Sequence, residues 1–78
     1  MTMKKLPKEK VAAEFGLFVR EARENLGLLQ ADVAKKVGIS RAYYSMIEAG
    51  KREIYFSLAL DICDALKLDL NEFRRRLR

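Results

Sequence analysis

The chain has 78 residues, half of them apolar, with a single proline and a net charge of +5. That length holds one domain around one small core, and the composition excludes a disordered chain. No apolar run approaches the ~18–20 residues that span a bilayer. Val11–Arg20 is broken by Glu14 and Gly16, so a secretory leader is not expected either. Cys63 stands alone and cannot close an internal disulfide, which points to a reducing cytoplasm.

The first predicted helix runs from about Lys8 to Leu26, opened by Pro7 and stopped by Gly27. Its apolar residues Val11, Phe15, Val19, Ala22 and Leu26 recur at helical spacing and mark one inner face. The second helix covers about Gln30–Val37, with Val33, Ala34 and Val37 inward and Asp32, Lys35 and Lys36 outward. Gly38 ends it. Ser40 supplies an N-cap for a third helix, about Arg41–Ala49, and Gly50 stops that one. A fourth helix, about Ser57–Leu66, carries Ala59, Ile62, Cys63 and Leu66 on one face. A short fifth helix starts near Leu70, with either Asn71 or Asp69 as its cap. The reading is therefore all-α, with five helices. Arg74-Arg75-Arg76-Leu77-Arg78 reads as a solvated basic tail, matching the basic stretch over residues 1–10.

Two short helices joined by the tight turn Gly38-Ile39-Ser40 form a helix-turn-helix pattern, whose second helix enters the DNA major groove. The charge distribution agrees. Residues 30–52 carry Lys35, Lys36, Arg41, Lys51 and Arg52 against Asp32 and Glu48, whereas residues 53–71 carry Lys67 against Glu53, Asp61, Asp64 and Asp69. A one-sided positive field steers a polyanion. By charge alone, plain solubility is an equal reading.

Within the third helix, Tyr44 and Ile47 share the core side, while Arg41, Ala42, Ser45 and Met46 share the opposite side with Tyr43 at its edge. Arg41 is the candidate for base readout, since its planar fork matches guanine O6 and N7. A phosphate contact is the competing assignment for it. Ala42 and Met46 suit a thymine methyl, and Ser45 tolerates any base. Tyr43 is assigned to a phosphate rather than to a base.

Residues 16–73 resemble the Cro/cI-type, or XRE, helix-turn-helix family. The matching run is Leu26-Gly27-Leu28-Leu29-Gln30, Val33-Ala34, Gly38-Ile39-Ser40-Arg41, Ser45-Met46-Ile47-Glu48, Gly50-Lys51-Arg52 and Ala65-Leu66. The resemblance implies a compact five-helix domain of the lambda-repressor type whose third helix reads DNA. It implies that Gln30 meets the DNA backbone and braces the start of the recognition helix. It implies an Arg23–Glu48 pair joining the first helix to the end of the third, and backbone contacts from Lys51 and Arg52. The chain departs from the family pattern at Leu29, where a Ser or Thr cap is usual. The missing cap costs about 1 kcal/mol unless something compensates. Glu53-Ile54 replaces a frequent Asn-Pro and brings a negative charge toward the phosphates.

Leu17, Phe18, Leu58 and Leu60 fall off the core stripes and form a candidate dimer or partner surface. The expected function is a sequence-specific regulator of double-stranded DNA, a repressor acting as a homodimer on a palindromic operator. The competing reading is an antitoxin or anti-repressor-type module whose apolar outside docks another protein. No enzyme is expected: the chain has no histidine, and Cys63 lies on an inner helix face. No ligand set suits a metal, no glycine-rich loop suits a cofactor phosphate, and no small-molecule effector is evident.

Overall fold

The computed structural model describes residues 7–77; residues 1–6 and Arg78, which hold parts of both expected basic tails, lie outside it. Among the described residues there are five α-helices: α1 (Lys8–Asn25), α2 (Gln30–Val37), α3 (Arg41–Glu48), α4 (Phe56–Ala65) and α5 (Leu70–Arg76). Pro7 takes the extended N-cap position of α1, where its missing N–H costs nothing.

Four helix ends close in the same way. Beyond α1, the Leu28 N–H bonds the Arg23 carbonyl and the Gly27 N–H bonds the Glu24 carbonyl. The same doubled closure recurs at Ile39 and Gly38 after α2, at Lys51 and Gly50 after α3, and at Leu68 and Lys67 after α4. The residue in the left-handed region is glycine at the first three ends and Lys67, with φ 58°, at the fourth.

The core draws on every helix: Phe15, Phe18 and Val19 of α1, Val33 and Ala34 of α2, Tyr44 and Ile47 of α3, Leu58, Ile62 and Cys63 of α4, Leu66 just after α4, and Phe73 of α5. Phe73 meets Phe15 edge-on at 5.2 Å between ring centroids and lies 5.5 Å from Phe18. This aromatic cluster fastens α5 along α1.

Several expectations are corrected here. Phe18 is 7% exposed and Leu58 is 2% exposed, so neither belongs to an outer surface. α1 packs against both α3 and α5, and Phe18, outside the single stripe that periodicity selects, meets Phe73 of α5. Leu58 stands four residues before Ile62 and therefore extends the same ridge of α4 inward. Leu26 is exposed, because α1 ends at Asn25 and the turn carries Leu26 outward. Arg74–Arg76 are exposed, as expected of a solvated stretch, but helical, continuing α5, and Arg76 pairs with Glu14 at 3.5 Å and with Glu21 of α1. Of the two candidate caps for α5, the Asp69 carboxylate holds the place, accepting from the Asn71 N–H at 2.9 Å.

Candidate nucleic-acid interface

Ser40 opens α3 as its cap: the hydroxyl accepts from the Tyr43 N–H at 3.0 Å. That satisfies one of the orphan donors of the first turn and sets where the helix begins. Arg41 and Ala42 are then exposed in the first turn, Met46 is exposed, and Ser45 is half-buried, while Tyr44 and Ile47 are buried. One side of an eight-residue helix therefore faces solvent with an arginine, an alanine, a serine and a methionine in reach. Arg41 has no ion-pair partner among the described residues.

α2 lacks a side-chain acceptor at its own cap, Leu29. Asp32 supplies the other half of a capping box: its carboxylate accepts from the Leu29 N–H at 2.8 Å. The same negative charge lies in the first turn, where the helix dipole favours it. The deficit that Leu29 creates is thus partly offset three residues on.

The far end of α3 is built differently. Glu48 is only 7% exposed and receives three hydrogen bonds. Arg23 donates through Nε at 2.7 Å and through its second amino nitrogen at 3.1 Å, and Gln30 donates through Nε2 at 3.0 Å. Arg23 also donates to the Leu28 carbonyl at 2.8 Å. One carboxylate therefore ties α1, the α1–α2 turn and the start of α2 to the last residue of α3. Gln30 braces the end of the third helix, not its start. Burial works against the charged form of Glu48, but the hydrogen bonds from Arg23 and Gln30 outweigh it and hold the carboxyl below its ordinary range. The Glu48 hydrogen bonds raise the Arg23 guanidinium above its ordinary value. The buried Tyr44 hydroxyl ends beside this cluster without a hydrogen bond of its own, and desolvation, reinforced by Glu48, keeps the phenol well above its ordinary range.

Gly16 sets the closeness of α1 and α3. A Cβ there would stand 2.4 Å from the Glu48 carbonyl oxygen and 2.6 Å from that of Ile47, both backbone atoms. No other residue fits. Sequence reasoning missed this role, although a glycine inside a helical pattern was the available signal. Gly50 adds a second close approach: with φ at 73° it turns the chain, and a Cβ would lie 2.8 Å from the Ala13 Cα.

Lys51 and Arg52 follow in the exposed turn. Arg52 lies over the Tyr43 ring, 5.0 Å from its centroid. Glu53, the expected nuisance beside phosphates, points to Lys8 at 3.6 Å in an exposed pair. The four candidate surface residues separate: Leu17 and Leu60 are exposed, while Phe18 and Leu58 are in the core. The most exposed large apolar groups among the described residues are Leu29 and, at the start of α4, Tyr55 and Phe56, Phe56 being 69% exposed. Beside Tyr55 and Phe56 lies a groove of about 620 Å³ lined by Val11, Phe15, Ile54, Phe56, Phe73 and Leu77. Cys63 is buried, and desolvation together with Asp69 pushes its thiol up, which suits packing and not nucleophilic attack. No described helix is long and apolar enough to cross a membrane.

A helix-turn-helix family model matches residues 19–73 of the chain. Among solved structures, the restriction-modification controller protein C.AhdI from Aeromonas hydrophila is 31% identical, with a TM-score of 0.74 over 80% of this chain and 94% of that one. A hypothetical transcription factor, NHTF, from Neisseria is 26% identical, with a TM-score of 0.76 over 99% of this chain and 94% of that one. The clp gene regulator ClgR from Corynebacterium glutamicum shares the fold at 24% identity, with a TM-score of 0.80 over 86% and 71% of the two chains. Comparison with curated proteins gives no match. The family match covers well over half of the sequence and includes the Ser40-capped α3 and the Glu48 cluster; the chain belongs to the XRE-type helix-turn-helix family of DNA-binding transcription regulators.

Proposed function

We propose that this regulator is a repressor that binds a palindromic operator in the cytoplasm as a homodimer. The observation that carries the reading is the exposed side of α3, which presents Arg41, Ala42, Ser45 and Met46 together at a helix anchored from behind. An α-helix fits the major groove, and Arg41 has the donors to grip a guanine there. Around it, Lys51, Arg52 and Tyr43 are assigned to phosphates. Gln30 spends one amide hydrogen on Glu48 and keeps the other for a phosphate.

One eight-residue helix contacts too few base pairs to specify an operator. A two-fold pair reads half-sites about 34 Å apart on one face of the duplex. The seat for the second copy is assigned to the exposed apolar groups Tyr55, Phe56 and Leu60, with Leu17 a lesser candidate. Selection from a random DNA pool, followed by sedimentation equilibrium with the enriched duplex, tests the reading. A palindrome bound by two copies is expected. A monomer that enriches no sequence contradicts it and favours the protein-docking module, for which the same apolar groups would serve.

A further inference from the structure

We infer that Tyr43 is a positioning residue for Arg52: its ring holds the guanidinium beside the exposed side of α3, and the phosphate is met by Arg52, not by the Tyr43 hydroxyl. This rests on the DNA face proposed above and replaces the contact assigned there to Tyr43.

Tyr43 is fixed twice. Its N–H is held by the Ser40 hydroxyl, and its half-buried ring packs against the core. The chain beyond α3 is fixed as well. The Lys51 N–H bonds the Met46 carbonyl at 3.0 Å, and Gly50 in its left-handed conformation turns the backbone along the helix. Arg52 is thereby laid over the Tyr43 ring at 5.0 Å, inside the ~6 Å reach of a cation–π contact. At about 100° per residue, Tyr43 flanks Met46 on the helix surface, so the guanidinium over its ring borders the exposed strip.

The contact with the ring leaves Arg52 free to act. A cation–π contact uses the positive charge of the guanidinium over the ring and spends none of its five N–H donors. Arg52 has no ion pair among the described residues, and the neighbouring carboxylate of Glu53 is turned to Lys8. An arginine already held over a ring also loses less rotamer freedom on binding than a free one.

The test is a double-mutant cycle on a random-sequence duplex, read as dissociation constant against salt, with NMR of the free proteins. Leucine keeps the apolar packing of position 43, and phenylalanine keeps the ring without the hydroxyl. Tyr43→Phe is expected to bind like the wild type. Tyr43→Leu is expected to bind about two- to five-fold more weakly, and to cost nothing further in an Arg52→Ala background. Arg52→Ala is expected to lower the salt slope by about one. In the free protein, the Arg52 side-chain protons are expected to show an upfield ring-current shift that Tyr43→Phe keeps and Tyr43→Leu abolishes. Equal losses for Tyr43→Phe and Tyr43→Leu would overturn the inference in favour of a hydroxyl contact. So would a Tyr43→Leu loss undiminished by Arg52→Ala, or a wild type without the shift. A wild type that binds no duplex overturns the DNA face and this role with it, a result told apart by a ring-current shift that is still present.

Discussion

The two ends of α3 are made by opposite means. At its start, the helix is held by a single hydroxyl, that of Ser40, and the next two side chains, Arg41 and Ala42, lie in solvent. At its end, Glu48 is buried, three side-chain hydrogen bonds converge on it, and Gly16 brings the backbone of α1 against its carbonyl. A helix that presents loose side chains at one end needs a fixed axis, and the fixing is done at the other end, away from Arg41 and Ala42. The difference teaches that stability and recognition in this domain are separable along only eight residues. Substitutions at the closed end should unfold the protein, while those at the open end should change what it binds.

The largest expected effect is at the closed end. Glu48→Ala leaves the largely buried Arg23 without its partner, and loss of one member of such a pair typically costs about 3–5 kcal/mol. Urea unfolding measures it; a loss below ~1 kcal/mol, the level of an exposed pair, would show that the cluster does not anchor the helix. Gly16→Ala comes next. Its methyl would overlap two backbone carbonyls that cannot swing away, so about 1–3 kcal/mol of destabilisation is expected despite the better helix propensity of alanine. A thermal melt that rises instead would mean α1 and α3 can separate without penalty. Ser40→Ala, at the open end, should cost only about 1 kcal/mol, with the folded structure and the Glu48 cluster unchanged in amide spectra.

The smallest effect is a change of slope. The carboxyl of Glu48 is held below its ordinary range in the folded protein by Arg23 and Gln30. A carboxylate depressed on folding contributes stability that is complete above the unfolded-state value and is lost as the pH falls through the folded one. Stability should therefore decline on acidification, and Glu48→Gln should flatten that decline, lowering stability near neutrality without adding a pH slope there. An unchanged acid limb in Glu48→Gln would assign the pH dependence to other carboxylates.

Much of the open end was legible in the sequence, and little of the closed end. Ser40 announces a helix start, and the alternation of Tyr44 and Ile47 with Arg41, Ala42, Ser45 and Met46 divides α3 by period alone. These are local features, set within one or two turns. The Arg23–Glu48 link became visible only through family resemblance, because it spans 25 positions that no local pattern connects. Phe18 escapes for the same reason, whereas Leu58, four residues before Ile62, lies on a period that does report it. A hydrophobic stripe reports one buried face per helix, and α1 is packed on two. Asp32 faces solvent as its period predicts, and its place three residues after Leu29 is also the capping-box position, which a hydrophobic period does not report. Arg74–Arg76 are exposed as their charge predicts, but their helical state depends on the Phe73 contacts that fasten α5, which are not local.

The central claim is that the exposed start of α3 reads bases. It is tested most directly by measuring Arg41→Ala against the wild type on a selected operator and on every single-base variant of it. The account predicts a loss of about 1–3 kcal/mol on the operator, and indifference to the identity of one guanine pair that the wild type distinguishes. An equal loss on every sequence would contradict it, placing Arg41 on a phosphate and leaving the recognition of sequence to other residues.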